Sequence, residues 1–223
     1  MAAKTASARA AAKLAKTSLL PTKERILAAA EEVFATRGFE GASTREIASL
    51  AGVNISSLHY HWESKERLYF AVFEHIYERM MEISRASMML ASPEVPESGR
   101  LVREEAVGRI YDFFVASPNV PRLLLRRIME NEEVGGEIER DILGPSWKVY
   151  AGWVQDLTGK KVKDIDAQIL MLTMNSALLL FVLDSRQYRY ILGGSVHDAK
   201  IGERVRSHLI RLSGALVSAQ VRS

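Results

Sequence analysis

The sequence predicts an all-α protein in two parts, and three observations carry that expectation. Apolar residues recur at helical spacing through nearly every run of the 223-residue chain. Most of the six prolines fall between those runs, where they mark connections. The stretch Ser43-Thr44-Arg45-Glu46-Ile47-Ala48-Ser49-Leu50-Ala51-Gly52-Val53-Asn54-Ile55-Ser56-Ser57-Leu58-His59-Tyr60-His61-Trp62 reads as two short helices joined by a tight glycine turn, a helix-turn-helix pattern. The expected fold is an N-terminal three-helix helix-turn-helix domain joined by a long helix to a C-terminal helical bundle.

Each element follows from local chemistry. Ile26, Leu27, Ala30, Val33 and Phe34 predict a first helix from about Thr22 to Arg37, ended by Gly38. Ser43 is a good N-cap, and Glu46 three residues on completes a capping-box pattern for a second helix. Ile47, Ala48 and Ala51 face inward, and Gly52 turns the chain. A third helix covers Ile55 to His61, packed through Val53, Ile55, Leu58 and Trp62. Ser64 caps a fourth helix from Lys65 to about Leu90, roughly 39 Å at ~1.5 Å per residue. Residues 92–99 are a Pro, Glu and Ser breaker.

Further helices are expected over Arg100 to Ala116, Val120 to Asn131, Glu133 to Leu157 with a kink or break at Pro145, Ile165 to about Tyr190, and Lys200 to Ala219. The apolar run Ile169 to Leu183 is short for a bilayer span and holds Thr173, Asn175 and Ser176, which reads as a buried helix. No membrane partner is expected.

Composition narrows the function classes. Hydrophobic residues make up 48% and charged residues 26%, which is ordinary for a globular protein. The absence of cysteine excludes disulfides, thiolate zinc sites and cysteine nucleophiles, and fits a cytoplasmic location. Lys4, Arg9, Lys13, Lys16 and Lys23, with no acid among residues 1–23, make a local +5; residues 1–20 read as a basic tail or arm. Residues 24–70 hold five Lys or Arg against seven Glu, so the helix-turn-helix region is not basic overall. His59 and His61 do not share a helix face, and His75, His197 and His208 show no carboxylate or histidine at metal-ligand spacing along the sequence, so no metal is expected. No nucleophile elbow, phosphate loop or zinc-protease motif is present; neither an enzyme nor a cofactor is expected.

Over residues 22–70 the order Arg25-Ile26-Leu27, Phe34, Arg37-Gly38-Phe39, Thr44, Ile47-Ala48, Ala51-Gly52-Val53, Leu58, Tyr60, His61, Lys65-Glu66, Leu68 closely resembles the DNA-binding domain of TetR-family (TetR/AcrR) transcriptional regulators. His59 and Trp62 stand where that family commonly has Tyr and Phe. The resemblance implies a ligand-responsive regulator, usually a repressor, that binds a near-palindromic operator as a homodimer and releases it when a small molecule enters the C-terminal domain. It implies three segments: a tail at 1–20, a DNA-binding domain at 21–68, and an effector-binding and dimerisation domain at 69–223.

Side-chain chemistry suggests the contacts. Ser56 and Ser57 are short enough to let the backbone approach the groove; they suit base edges or phosphates, or cap the helix. Asn54, His59, Tyr60 and His61 complete the candidate reading helix; packing against the first helix is the other role open to His59 and Tyr60. Thr44 and Arg45 open the second helix, where free N–H groups attract phosphate. Thr22, Lys23 and Lys65 are expected as phosphate clamps.

In the C-terminal bundle, Tyr111, Phe114, Leu125, Met129, Trp147, Tyr150, Met171, Met174, Asn175 and Phe181 are candidates for the wall of a cavity for an apolar or aromatic effector, or else plain core. The resemblance implies a dimer interface from the last two long helices, with Ala167, Leu170, Met174, Ala177 and Phe181 on one and Val205, Leu209, Leu212 and Leu216 on the other.

Overall fold

The computed structural model describes residues 20–91, 97–130, 136–159 and 162–222. The expected basic tail, apart from Leu20, and most of the 92–99 breaker lie outside these residues. The described residues are helical with no strand, and they form two compact units, Met1–Phe73 and Glu74–Ser223.

In the first unit, α1 (Thr22–Gly41), α2 (Thr44–Ala51) and α3 (Ile55–His61) pack in succession, followed by the start of α4 (Lys65–Met88). Gly38 interrupts α1 with φ 75° and ψ 177°, so the helix proper ends at Arg37 as expected and a further turn follows. Phe34, Ile47, Leu58 and Leu68 are fully buried, each from a different helix, and they knit the unit together.

The second unit continues α4 and adds α5 (Ser98–Ala116), α6 (Asn119–Glu130), α7 (Gly136–Ile138), a π turn (Glu139–Leu143), α8 (Gly144–Leu157), α9 (Asp164–Val182), α10 (Arg186–Leu192) and α11 (Ala199–Arg222). Helix α9 is central, packing against α5, α6, α8 and α11. By length and composition α9 could cross a membrane, but Ala167, Leu170, Met174, Leu178, Leu179 and Val182 bury one side of it inside the unit.

At Pro145, where a kink or break is expected, the α-helical run is interrupted by the π turn over Glu139–Leu143 and resumes at Gly144. The Gly144 N–H reaches the Glu139 carbonyl, five residues back, and this wider π turn accommodates a ring that would clash in a regular turn. Buried Arg127 on α6 braces that turn, its Nη2 donating to both carboxylate oxygens of Glu139 at 2.9 and 2.8 Å. The helix expected to reach Tyr190 stops instead at Val182. Asp184 takes a left-handed φ of 49°, and the Ser185 hydroxyl accepts the Tyr188 N–H to start α10.

The buried Asp184 carboxylate holds that break. It accepts from the Ser195 hydroxyl at 2.9 Å, the Val196 N–H at 3.3 Å and Arg189 at 2.7 Å. His197 therefore does have a carboxylate neighbour, Asp184 at 3.9 Å, which its spacing in the sequence concealed.

The residues expected at a dimer interface differ in burial within the single chain. Ala167, Leu170 and Met174, and Val205 and Leu209, are buried inside the unit itself. The exposed large apolar residues of α9 are Ile165, Ile169, Leu172 and Leu180.

Candidate nucleic-acid interface and effector cavity

The helix-turn-helix is set by its caps. Ser43 Oγ accepts the Glu46 N–H at 3.1 Å and starts α2; the Glu46 side chain pairs with Arg37 at 3.6 Å. Gly52 ends α2 in the left-handed region at φ 64°, with the Val53 N–H returning to the Ala48 carbonyl at 3.0 Å. Asn54 then caps α3, its Oδ1 accepting the Ser57 N–H at 2.7 Å.

The turn has one brace that periodicity did not reveal. Arg25 of α1 donates through Nε to the Ala51 carbonyl at 3.1 Å and through Nη2 to the Gly52 carbonyl at 2.8 Å. A cation at the C-terminal carbonyls of a helix satisfies groups that otherwise lack partners. The Ala51-Gly52 turn marked the spot in the sequence, but nothing there said which cation would reach it.

Capping falls to Asn54, so the capping role considered for Ser56 is not the one adopted; Ser56 is exposed and Ser57 half-buried. His59, Tyr60 and His61 are all exposed, Tyr60 at 85%, and so do not pack against α1. Tyr60 and His61 meet edge to face at 5.2 Å. Arg45 is exposed on the first turn of α2 and Thr44 half-buried beside it. Thr22 opens α1, and the Lys23 ammonium lies 6.0 Å from the centroid of the Trp62 ring.

Lys65 is a correction. Its ammonium donates to the Phe39 and Ala42 carbonyls at 3.0 and 3.4 Å and lies 4.2 Å from the Phe39 ring centroid. The residue expected to clamp a phosphate ties the end of α1 to the start of α4.

Within the second unit, α4, α5, α8, α9 and α11 enclose a cavity of about 220 Å³. Five of the ten candidate residues, Trp147, Tyr150, Met171, Met174 and Asn175, line it. The other five candidates do not. Tyr111 is buried and donates its hydroxyl to the Gly202 carbonyl at 3.1 Å; burial pushes that hydroxyl up to about 12. Phe114 is fully buried core, Leu125 is half-buried off the cavity, Met129 is 76% exposed, and Phe181 packs against Tyr188 and His208.

Sequence reasoning missed Tyr77, Met80 and Ser84 of α4, Arg103 of α5, Trp153 of α8 and Ser213 of α11, all on the wall. Trp153 was within reach, since it extends the Trp147 and Tyr150 face by one more turn. Tyr150 Oη is buried without a completed hydrogen bond, with Ser84 as a polar neighbour; burial raises its pKa, tempered by Ser84 and Arg85. Among the described residues no cluster of three or more His, Cys, Asp or Glu could hold a metal ion.

Comparison with known proteins agrees with this layout. Residues 26–72 match the family model for bacterial regulatory proteins of the tetR family. The chain is 34% identical over 104 residues to the transcriptional repressor NicS of Pseudomonas putida, spanning 46% of each chain. It is 28% identical over 183 residues to the transcriptional regulator RutR of Escherichia coli O157:H7, spanning 79% of this chain and 81% of RutR. The fold superposes on the fatty acid degradation regulator FadR from Bacillus halodurans with a TM-score of 0.66 at 16% identity, covering 91% of this chain and 95% of that one. With a capped helix-turn-helix matched to the family model over residues 26–72 and an all-helical fold shared along nearly the whole chain, this protein is similar to the TetR-family transcriptional regulators in its N-terminal domain and in its fold.

Proposed function

We propose that this protein is a transcriptional repressor. It acts in the cytoplasm as a homodimer on a near-palindromic operator, and a small apolar or aromatic effector in the C-terminal cavity releases it. One observation carries the DNA-reading part: α3 is held by caps and by Leu58, so Ser56, His59, Tyr60 and His61 are exposed and left for a ligand. Arg45, exposed at the start of α2, adds a cation where helix N–H groups already favour phosphate. The exposed apolar face of α9 suits the isologous contact of a dimer, which would set two reading helices about 34–36 Å apart. Effector binding would act by population shift, favouring a dimer whose reading helices no longer match adjacent grooves.

Fluorescence anisotropy with the DNA flanking the protein's own gene tests this. The expected result is tight binding that weakens steeply with added salt and far exceeds binding to unrelated DNA. A second reading, an apolar-ligand sensor or carrier without sequence-specific DNA binding, rests on the excess of Glu over Lys and Arg in residues 24–70. Equal, weak binding to every DNA would favour it and overturn the repressor reading.

A further inference from the structure

We propose that the cavity is built for an amphipathic monoanion: a compact apolar body bearing one carboxylate, gripped by Arg103. The inference deepens the effector-cavity reading above and rests on it.

Arg103 lines the cavity with its side chain only 22% exposed. Its Nε donates to Ser213 Oγ at 3.1 Å, and Ser213 is itself buried and donates to the Ile210 carbonyl at 2.7 Å. That bond fixes the guanidinium plane and leaves the two Nη groups without a hydrogen bond among the described residues. The acid nearby, Glu104, is 3.7 Å from Nη2, beyond good hydrogen-bond reach. Glu104 is taken up instead by Arg100 at 3.0 Å, which also holds Glu97 at 2.7 Å. No Asp or Glu lines the cavity. A half-buried guanidinium fork facing an acid-free cavity is matched by an incoming carboxylate, which it can meet with two parallel bonds.

Helix α11 makes room for this cation. A Cβ on Gly214 would stand 3.0 Å from Arg103 Nη2, so the glycine after Ser213 lets the fork lie close to the helix. Burial lowers the Arg103 pKa, with Glu104 partly offsetting that and Arg100 adding to it. Most of the remaining wall is apolar, led by Trp147, Trp153, Met171 and Met174. Arg100, Ser84, Thr158 and Asn175 are further charged or polar members. A cavity of about 150 Å³ accommodates benzene, so 220 Å³ suits roughly ten non-hydrogen atoms in all.

The test uses matched acids and amides, which share shape and differ in charge. Octanoate with octanamide, and 3-phenylpropanoate with 3-phenylpropanamide, are titrated calorimetrically into the full-length protein and into Arg103→Met. The expected result is that at least one acid binds the intact protein roughly tenfold or more tighter than its amide, and that Arg103→Met erases the preference. Acid and amide binding equally well would overturn the anion inference and leave the cavity reading standing. A preference that survives in folded Arg103→Met would overturn the role of Arg103. Failure of all four probes would overturn the proposal together with the cavity reading. The acid–amide comparison in the intact protein decides the charge question even if Arg103→Met fails to fold.

Discussion

In the first unit Phe34, Phe39, Tyr69 and Phe73 meet as a cluster, with Tyr69 4.9 to 5.0 Å from each of the other three ring centroids. In the second unit Trp147, Tyr150 and Trp153 also form a chain of rings, at 6.3 and 5.5 Å. The first set is drawn from α1 and α4 and closes on itself. The second comes from a single helix, at i, i+3 and i+6, so its rings share one face and cannot close over one another. That face borders the cavity. The same residue types therefore make a filled core or an open wall according to how many elements supply them.

Four substitutions probe that contrast, in descending order of expected cost to stability. Phe34→Ala should destabilise the first unit by about 3–5 kcal/mol, because a fully buried ring leaves a void its neighbours cannot fill. Thermal or denaturant melts check this; a loss near 1 kcal/mol would mean the cluster collapses readily and is not the rigid core described. Lys65→Met should cost about 1–3 kcal/mol by stripping a charged donor from the Phe39 and Ala42 carbonyls. A variant as stable as the parent but weaker on every DNA would restore Lys65 as a phosphate clamp.

Met171→Ala on the cavity wall should cost only about 1 kcal/mol, below the ~2–5 kcal/mol of a fully packed methionine, since the side chain already borders open space. A loss in the upper half of that range would show the wall to be as tightly packed as the first core. Arg45→Ala should leave stability within about 0.5 kcal/mol while lowering operator affinity, because the side chain is exposed and has no partner among the described residues. Unchanged affinity in an anisotropy titration would remove Arg45 from the interface.

Legibility in the sequence followed the range of the interaction. The caps at Ser43 and Ser64 and the turn at Gly52 could be read because each acts within four residues. The family resemblance worked for a related reason, since its motif is a dense local pattern. Long-range pairings could not be read. Nothing near Lys65 says that its ammonium reaches back 26 residues to Phe39, and nothing near Arg103 says that Ser213 waits 110 residues on. Half of the cavity candidates failed for the same cause: Phe114 and Met174 look equally apolar along the chain, and only packing sends one into the core and the other to the wall. The continuation of α9 past Leu183 was misread because Asp184 breaks the helix through partners at 189, 195 and 196.

That aspartate has a consequence for how the chain can be altered. Its carboxylate grips residues on the far side of α10, so both ends of the segment from 184 to 196 are clasped at one point. Helix α10 contributes no buried residue, and Tyr190 and Ile191 stand 89% and 66% exposed. A clasped excursion whose helix carries no core is a natural graft site: a peptide tag or fluorophore inserted near Gly193, which has open space beside it, should leave the packing of α9 and α11 intact so long as Asp184 keeps its grip.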